Sequence, residues 1–128
     1  MNHFTLLIVL LLSCATSLQI LGAEPAGKTL YHVVSIKFKE GTSVDQIKAV
    51  TDAFTALKTK IPGITSLHWG TNVSPENRNK GYTHCFVLTF ASDKDRDTYL
   101  GHDEHKAFGG VLVPVLEDVM VIDFWSAE

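Results

Sequence analysis

The sequence predicts one α+β domain of the split βαβ, or ferredoxin-like, type: a four-stranded antiparallel sheet with helices on one face. Two observations carry this. Four stretches have the length and the β-branched and aromatic content of strands, and two stretches between them carry helix signals. Their order along the chain, β-α-β-β-α-β, is that of the split βαβ unit, whose usual strand order is 4-1-3-2.

Each element has its own signature. The first strand is "LYHVVSIKF", Leu30 to Phe38, and alternation places His32, Val34, Ile36 and Phe38 on the face that takes the helices. Val44, Ile47, Val50, Phe54, Leu57 and Ile61 then recur at helical spacing. Ser43 or Thr42 is the N-cap, and the helix stops before Pro62-Gly63. "ITSLHWGTNV" (64–73) and "YTHCFVLTFA" (82–91) form a hairpin around the polar turn "SPENRNKG". Ser92 caps the second helix, "DKDRDTYLG", whose acidic first turn suits the helix dipole. Glycines and a proline interrupt His105 to Glu117, which reads as broken helix before the last strand, "VMVIDFW", Val119 to Trp125.

Residues 1–23 stand apart, with no Asp, Glu, Lys or Arg and an apolar run from Phe4 to Leu12 of signal-peptide length. They read as an export signal, cleaved after Ala23 or, where "LLSC" resembles a lipobox, replaced by a lipidated Cys14; an uncleaved apolar anchor is the remaining reading. The product is expected outside the cytoplasm, away from membranes unless Cys14 carries lipid. Residues 24–29 form a linker and 30–126 the domain. About 105 residues after the signal suffice for one core and no second domain. Cys85 has no partner cysteine in the domain, so no internal disulfide braces it. A net charge of -3, with the two signs interspersed, gives no footprint for nucleic acid.

The strand alternation leaves Val33, Met120, Ile122 and Phe124 on the face away from the helices. An open apolar sheet face implies a partner, most simply a second copy.

"YHVVSIKFK", "IPGITSLHWGTNVS", "GYTHCFVLTFAS", "YLGHDEHKAFGG" and "VIDFW" together resemble the stress-responsive A/B barrel (Dabb) family over Tyr31 to Trp125. The resemblance implies a homodimer in which two ferredoxin-like sheets face each other, a dimeric α/β barrel. One plant branch of that family is polyketide cyclase, which performs an intramolecular aldol condensation without metal or organic cofactor in a pocket between helices and sheet. Its pattern is matched at His32, His84, Tyr99 and His105. Asp103 stands where the pattern has proline, and Phe54 where the cyclase branch has tyrosine. The resemblance assigns His105 as base and Tyr99 as hydrogen-bond donor.

Position on the strands offers a physical reason for these residues to meet. With the first and third strands taken as parallel neighbours, His32 and His84 fall at one edge of the sheet, and Asp123 returns to it on the last strand. The second helix, rising about 1.5 Å per residue, brings Tyr99 and His105 back to the same end. The expected ligand pocket thus comprises His32, His84, Asp123 and the apolar walls Phe54, Phe86, Leu88 and Phe108. Asp123 would orient the His32 ring.

Bland readings compete. Each strand histidine alone reads as a satisfied core residue, His68 as structural, and His102 as exposed or as a helix C-terminal residue. The HxxH spacing of His102 and His105 suits a metal, but without HExxH or a cysteine cluster none is expected, and no cofactor. The Asn72 sequon is discounted because Pro75 follows. Three functions remain: a binding module for a small, largely apolar carbonyl compound; a cofactor-free lyase or cyclase; and a structural dimer with a filled core. An exported protein would rarely meet an acyl-CoA, which favours the first.

Overall fold

The computed structural model describes residues 27–127. The proposed signal, Cys14 and the first part of the linker lie outside the described residues. The elements are β1 (Leu30–Phe38), α1 (Val44–Lys60), β2 (Ile64–Thr71), β3 (His84–Phe90), α2 (Asp93–Gly101), α3 (Asp103–Leu112), a 3-10 turn at Val113–Val115, and β4 (Leu116–Trp125). The sheet order is β2-β3-β1-β4 and every neighbouring pair is antiparallel. This is the ferredoxin-like arrangement the element order predicts.

One expectation fails here. β1 and β3 run antiparallel, with Leu30 opposite Phe90 and Ile36 opposite His84. The reason is topological: each βαβ crossover makes its own two strands parallel, and the β2–β3 hairpin reverses the second unit against the first. The start of β3 therefore lies at the end of β1, and His84 is carried away from His32.

Local chemistry fixes the helices. Ser43 and Gln46 form a reciprocal capping box at the start of α1: the Ser43 hydroxyl accepts from Gln46 N–H at 3.1 Å and the Gln46 amide oxygen accepts from Ser43 N–H at 2.9 Å. Beyond its C-terminus Gly63 takes a φ of +94°, and an added Cβ would sit 3.1 Å from Asp95, so the turn requires glycine. The Ser92 hydroxyl accepts from Asp95 N–H at 3.0 Å to start α2.

The segment expected to be broken helix is instead regular. α3 runs through Gly109 and Gly110 to Leu112, and only then does Pro114 tighten the chain into a 3-10 turn. Two helical glycines cost roughly 1 kcal/mol each against alanine. Burial of Phe108 and Leu112 outweighs that, at about 1.5–3 kcal/mol per side chain. The interruption falls earlier, at His102, which is both the C-cap of α2 and the N-cap of α3.

The core lies between sheet and helices. Ile36, Val50, Phe86, Leu88 and Phe90 are 0% exposed, and Phe54, Leu57 and Tyr99 1%. Phe54 stacks on Phe86 at 4.0 Å and meets Phe108 at 4.6 Å. Edge strand β4 is different. Met120, Ile122 and Phe124 on the far face are 43%, 52% and 47% exposed, and on the helix side Val119 and Val121 are 39% and 50% exposed.

Candidate functional site

The start of β1, the end of β4, α2 and α3 converge at one end of the sheet. His32 and Asp123 are register partners on β1 and β4. His32 is buried, and its Nδ1–H donates to Asp123 Oδ1 at 2.6 Å. The other carboxylate oxygen of Asp123 accepts from Arg96 Nη1 at 2.8 Å. That bond to Asp123 is the main influence holding the guanidinium pKa above its ordinary value. Arg96 thus ties α2 to the edge strand through one carboxylate.

Tyr99 lies one helical turn beyond Arg96. Its ring meets His32 edge-on at 5.6 Å, Phe90 at 5.4 Å and His105 at 4.6 Å. α2 starts beside Phe90, already next to the start of β1, so it need not travel the length of the sheet. Burial pushes the Tyr99 pKa far up, which keeps the hydroxyl protonated and able to donate.

His105 enters from the first turn of α3. Its Nδ1–H donates to the Leu100 carbonyl at 3.2 Å, so the neutral ring presents an unprotonated Nε2. Burial lowers its pKa; the Leu100 carbonyl raises it in part, and a charge on His32 lowers it further. His105 is therefore a neutral base at pH 7, beside a phenol donor.

Other expected residues fall elsewhere. His84 lies at the opposite end of the sheet, 5.1 Å from Phe38 and 6.0 Å from Trp69 between ring centroids, and its Nδ1 pairs with the Thr83 hydroxyl at 2.9 Å. The pocket with His84 and Tyr99 on one wall is thus not formed, because antiparallel pairing separates them. Phe54, Phe86, Leu88 and Phe108 are closed core between the two ends. The histidines of HxxH also part ways. His102 Nδ1 accepts from Glu104 N–H at 3.1 Å, a capping role, while His105 turns to Tyr99. Because α3 continues unbroken, it is this joint, and not a break at Gly109-Gly110, that aims His105. Among the described residues no group of three His, Cys, Asp or Glu could hold a metal ion.

Alternation puts Val119 and Val121 on the same side of β4 as Asp123, facing the helices, but no helix covers them, and they form an apolar strip running away from the His32–Asp123 pair. Arg96 went unread in the sequence. Its spacing of three from Tyr99 was the available signal.

Fold and site define a ferredoxin-like domain with a tyrosine and a histidine, Tyr99 and His105, in ring contact at one end of its sheet. Residues 30–126 match the model of the stress-responsive A/B barrel domain, and the chain belongs to this family. It is 35% identical over 101 residues to the stress-response A/B barrel domain-containing protein HS1 of Arabidopsis thaliana, covering 79% of this chain and 93% of that one. It is 29% identical over 93 residues to the olivetolic acid cyclase of Cannabis sativa, covering 73% and 92%. Among solved structures, a hydroxynitrile lyase from Passiflora edulis matches with a TM-score of 0.74 and 25% identity over 79% of this chain and 95% of that one. A dimeric ferredoxin-like protein of unknown function from Jannaschia sp. CCS1 matches with a TM-score of 0.66 and 27% identity over 75% and 97%.

Proposed function

We propose that the domain is a homodimer that binds a small, largely apolar carbonyl compound along Val119 and Val121, with its polar end at Tyr99 and His105, and that this pair moves a proton on the ligand. The observation that carries the reading is the fixed tautomer of His105. With Nδ1–H spent on Leu100, Nε2 is a base next to a hydroxyl that burial keeps protonated. Such a pair abstracts a proton from an acidic carbon while the phenol hydrogen-bonds the developing oxyanion. Similarity to a cyclase and to a lyase supports acid–base work at this fold.

The test uses 2,4-pentanedione, a compact 1,3-dione. Protein should accelerate exchange of its central protons with deuterium above the buffer rate, and should shift the His105 imidazole signals on titration. His105→Ala should lose about 10²-fold or more of the acceleration. Tyr99→Phe should lose less, and His68→Ala, an exposed residue of edge strand β2, should stay near wild type. Shifts without exchange leave a binding module, and neither response would favour the structural dimer.

Dimerisation rests on the exposed far face of β4 and on the description of a structural neighbour as dimeric. Ile122→Lys should give monomer or insoluble protein, and a monomeric wild type at micromolar concentration would count against it. Export rests on the apolar run from Phe4 to Leu12. A mature start near Glu24, or lipid on Cys14, in protein from a secreting host would support it; intact Met1 in the soluble fraction would defeat it.

A further inference from the structure

Helix α2 has little of its own to hold it in place. It is 9 residues long, short of the about 12–15 at which an isolated helix becomes marginally stable in water, and Tyr99 is the only residue it buries. Lys94, Asp97, Thr98 and Leu100 are exposed. Where the helix sits is therefore decided by two contacts on one side of it. Arg96 and Tyr99, three residues apart, lie about 60° from each other around the axis. Tyr99 enters the core, and Arg96 reaches Asp123 on β4 at 2.8 Å, the one side-chain hydrogen bond between α2 and a strand among the described residues.

Asp123 commits its two oxygens to different elements. Oδ1 accepts from His32 on β1 and Oδ2 from Arg96 on α2, so a single carboxylate relates β1, β4 and α2 at one point. The guanidinium is also held at its other side, because Arg96 Nε–H donates to Asp97 of its own helix at 3.0 Å. A planar, rigid group fixed to α2 at Nε and to β4 at Nη1 acts as a strut of set length. What depends on the strut is the site. Tyr99 stands one turn further along α2, and His105, although on α3, donates its Nδ1–H to the carbonyl of Leu100, also on α2.

We propose that Arg96 is the positioning residue of this site: its bridge to Asp123 fixes α2 on the sheet, and α2 in turn places both the Tyr99 hydroxyl and the Leu100 carbonyl that orients His105. The effect on rate rests on the acid–base reading of Tyr99 and His105, whereas the effect on their placement rests on geometry alone. Arg96 acts through Asp123 and α2, not on a ligand. A misplacement of about 1 Å caused from outside the reacting groups can cost about 10²-fold in rate.

The experiment compares the purified protein with Arg96→Met, Arg96→Lys, Asp123→Asn and a control, Lys94→Met, on an exposed position of the same helix. Methionine keeps the helix propensity and drops the bond to Asp123. Asparagine at 123 keeps an oxygen for His32 but faces Arg96 with an amide N–H group, which cannot accept. At saturating 2,4-pentanedione, Arg96→Met should slow exchange of the central protons about tenfold or more, with the half-saturation concentration within about twofold of wild type. The nuclear Overhauser contact between the Tyr99 and His105 rings should weaken in the same variant while it still unfolds cooperatively. Asp123→Asn should do the same, the double variant no worse than either single one, and Lys94→Met should change nothing. The bond to Asp123 uses one nitrogen, so Arg96→Lys should recover most of both signals. An unchanged ring contact in folded Arg96→Met, additive losses in the double variant, or a lysine variant no better than the methionine one would each overturn the proposal. If Arg96→Met does not fold, Arg96→Lys and Asp123→Asn carry the same comparison. If the wild type accelerates no exchange, the acid–base reading falls, and the ring contact still decides the placement.

Discussion

The two ends of the sheet carry similar residues and treat them in opposite ways. At the start of β1, His32 is buried and bonded to a carboxylate that is itself held by Arg96, and Tyr99 packs against its edge. At the start of β3, His84 is only partly buried, has a single hydroxyl partner, and burial alone lowers its pKa. A histidine on the apolar face of a strand is therefore not one kind of site. Its role depends on whether an edge-strand carboxylate stands in register beside it, and β4 supplies one to His32 but none to His84.

The largest effect should come from removing what keeps the ends apart. Phe86 is fully buried and stacks on both Phe54 and Trp69. Phe86→Ala should cost about 3–5 kcal/mol in denaturant unfolding, and should free the Trp69 ring that stacks on it.

Next comes a direct contrast of the two ends. Asp123→Ala strands the buried His32 Nδ1–H and removes the Arg96 partner, at a cost of about 2–3 kcal/mol. His84→Ala breaks one partly exposed hydrogen bond and should cost about 1 kcal/mol or less. Equal losses in chemical denaturation would erase the distinction drawn between the ends.

His102→Ala removes a helix cap and should cost about 1 kcal/mol, while His102→Asn should restore most of it, read as a melting temperature.

The most gradual effect is in pH. His84 and His105 both have pKa values lowered from 6.5, chiefly by burial. The unfolded chain then takes up protons first as pH falls below 6.5, so these residues stabilise the fold fully above that value. Their contribution drains away as pH drops through the lowered values. A stability curve that instead rises on acidification from pH 6.5 would contradict the assignment, and the two single alanine variants would divide the slope between the ends.

Much of this was legible in the sequence because it depends on local period and composition. Alternation along Leu30–Phe38 identifies the buried face that carries His32, and the spacing from Val44 to Ile61 identifies the helix that supplies Phe54 and Leu57. What misled was direction and degree. Strand direction is a property of how two βαβ units join, and reading β1 and β3 as parallel moved His84 to the wrong end. Gly109 and Gly110 look like a helix break, but a propensity cost of about 1 kcal/mol each does not override the burial of their neighbours. Arg96 was invisible as part of the site because its partner, Asp123, is 27 residues away and is brought to it only by the edge pairing.

The joint at His102 has a consequence for how such a domain changes over evolution. Tyr99 and His105 reside on separate rods, α2 and α3, hinged at one residue. Their separation is set by an angle between two axes rather than by a fixed path along one helix. A small substitution under either rod would swing the two groups together or apart without touching either, so the spacing of the pair can drift while both residues stay the same.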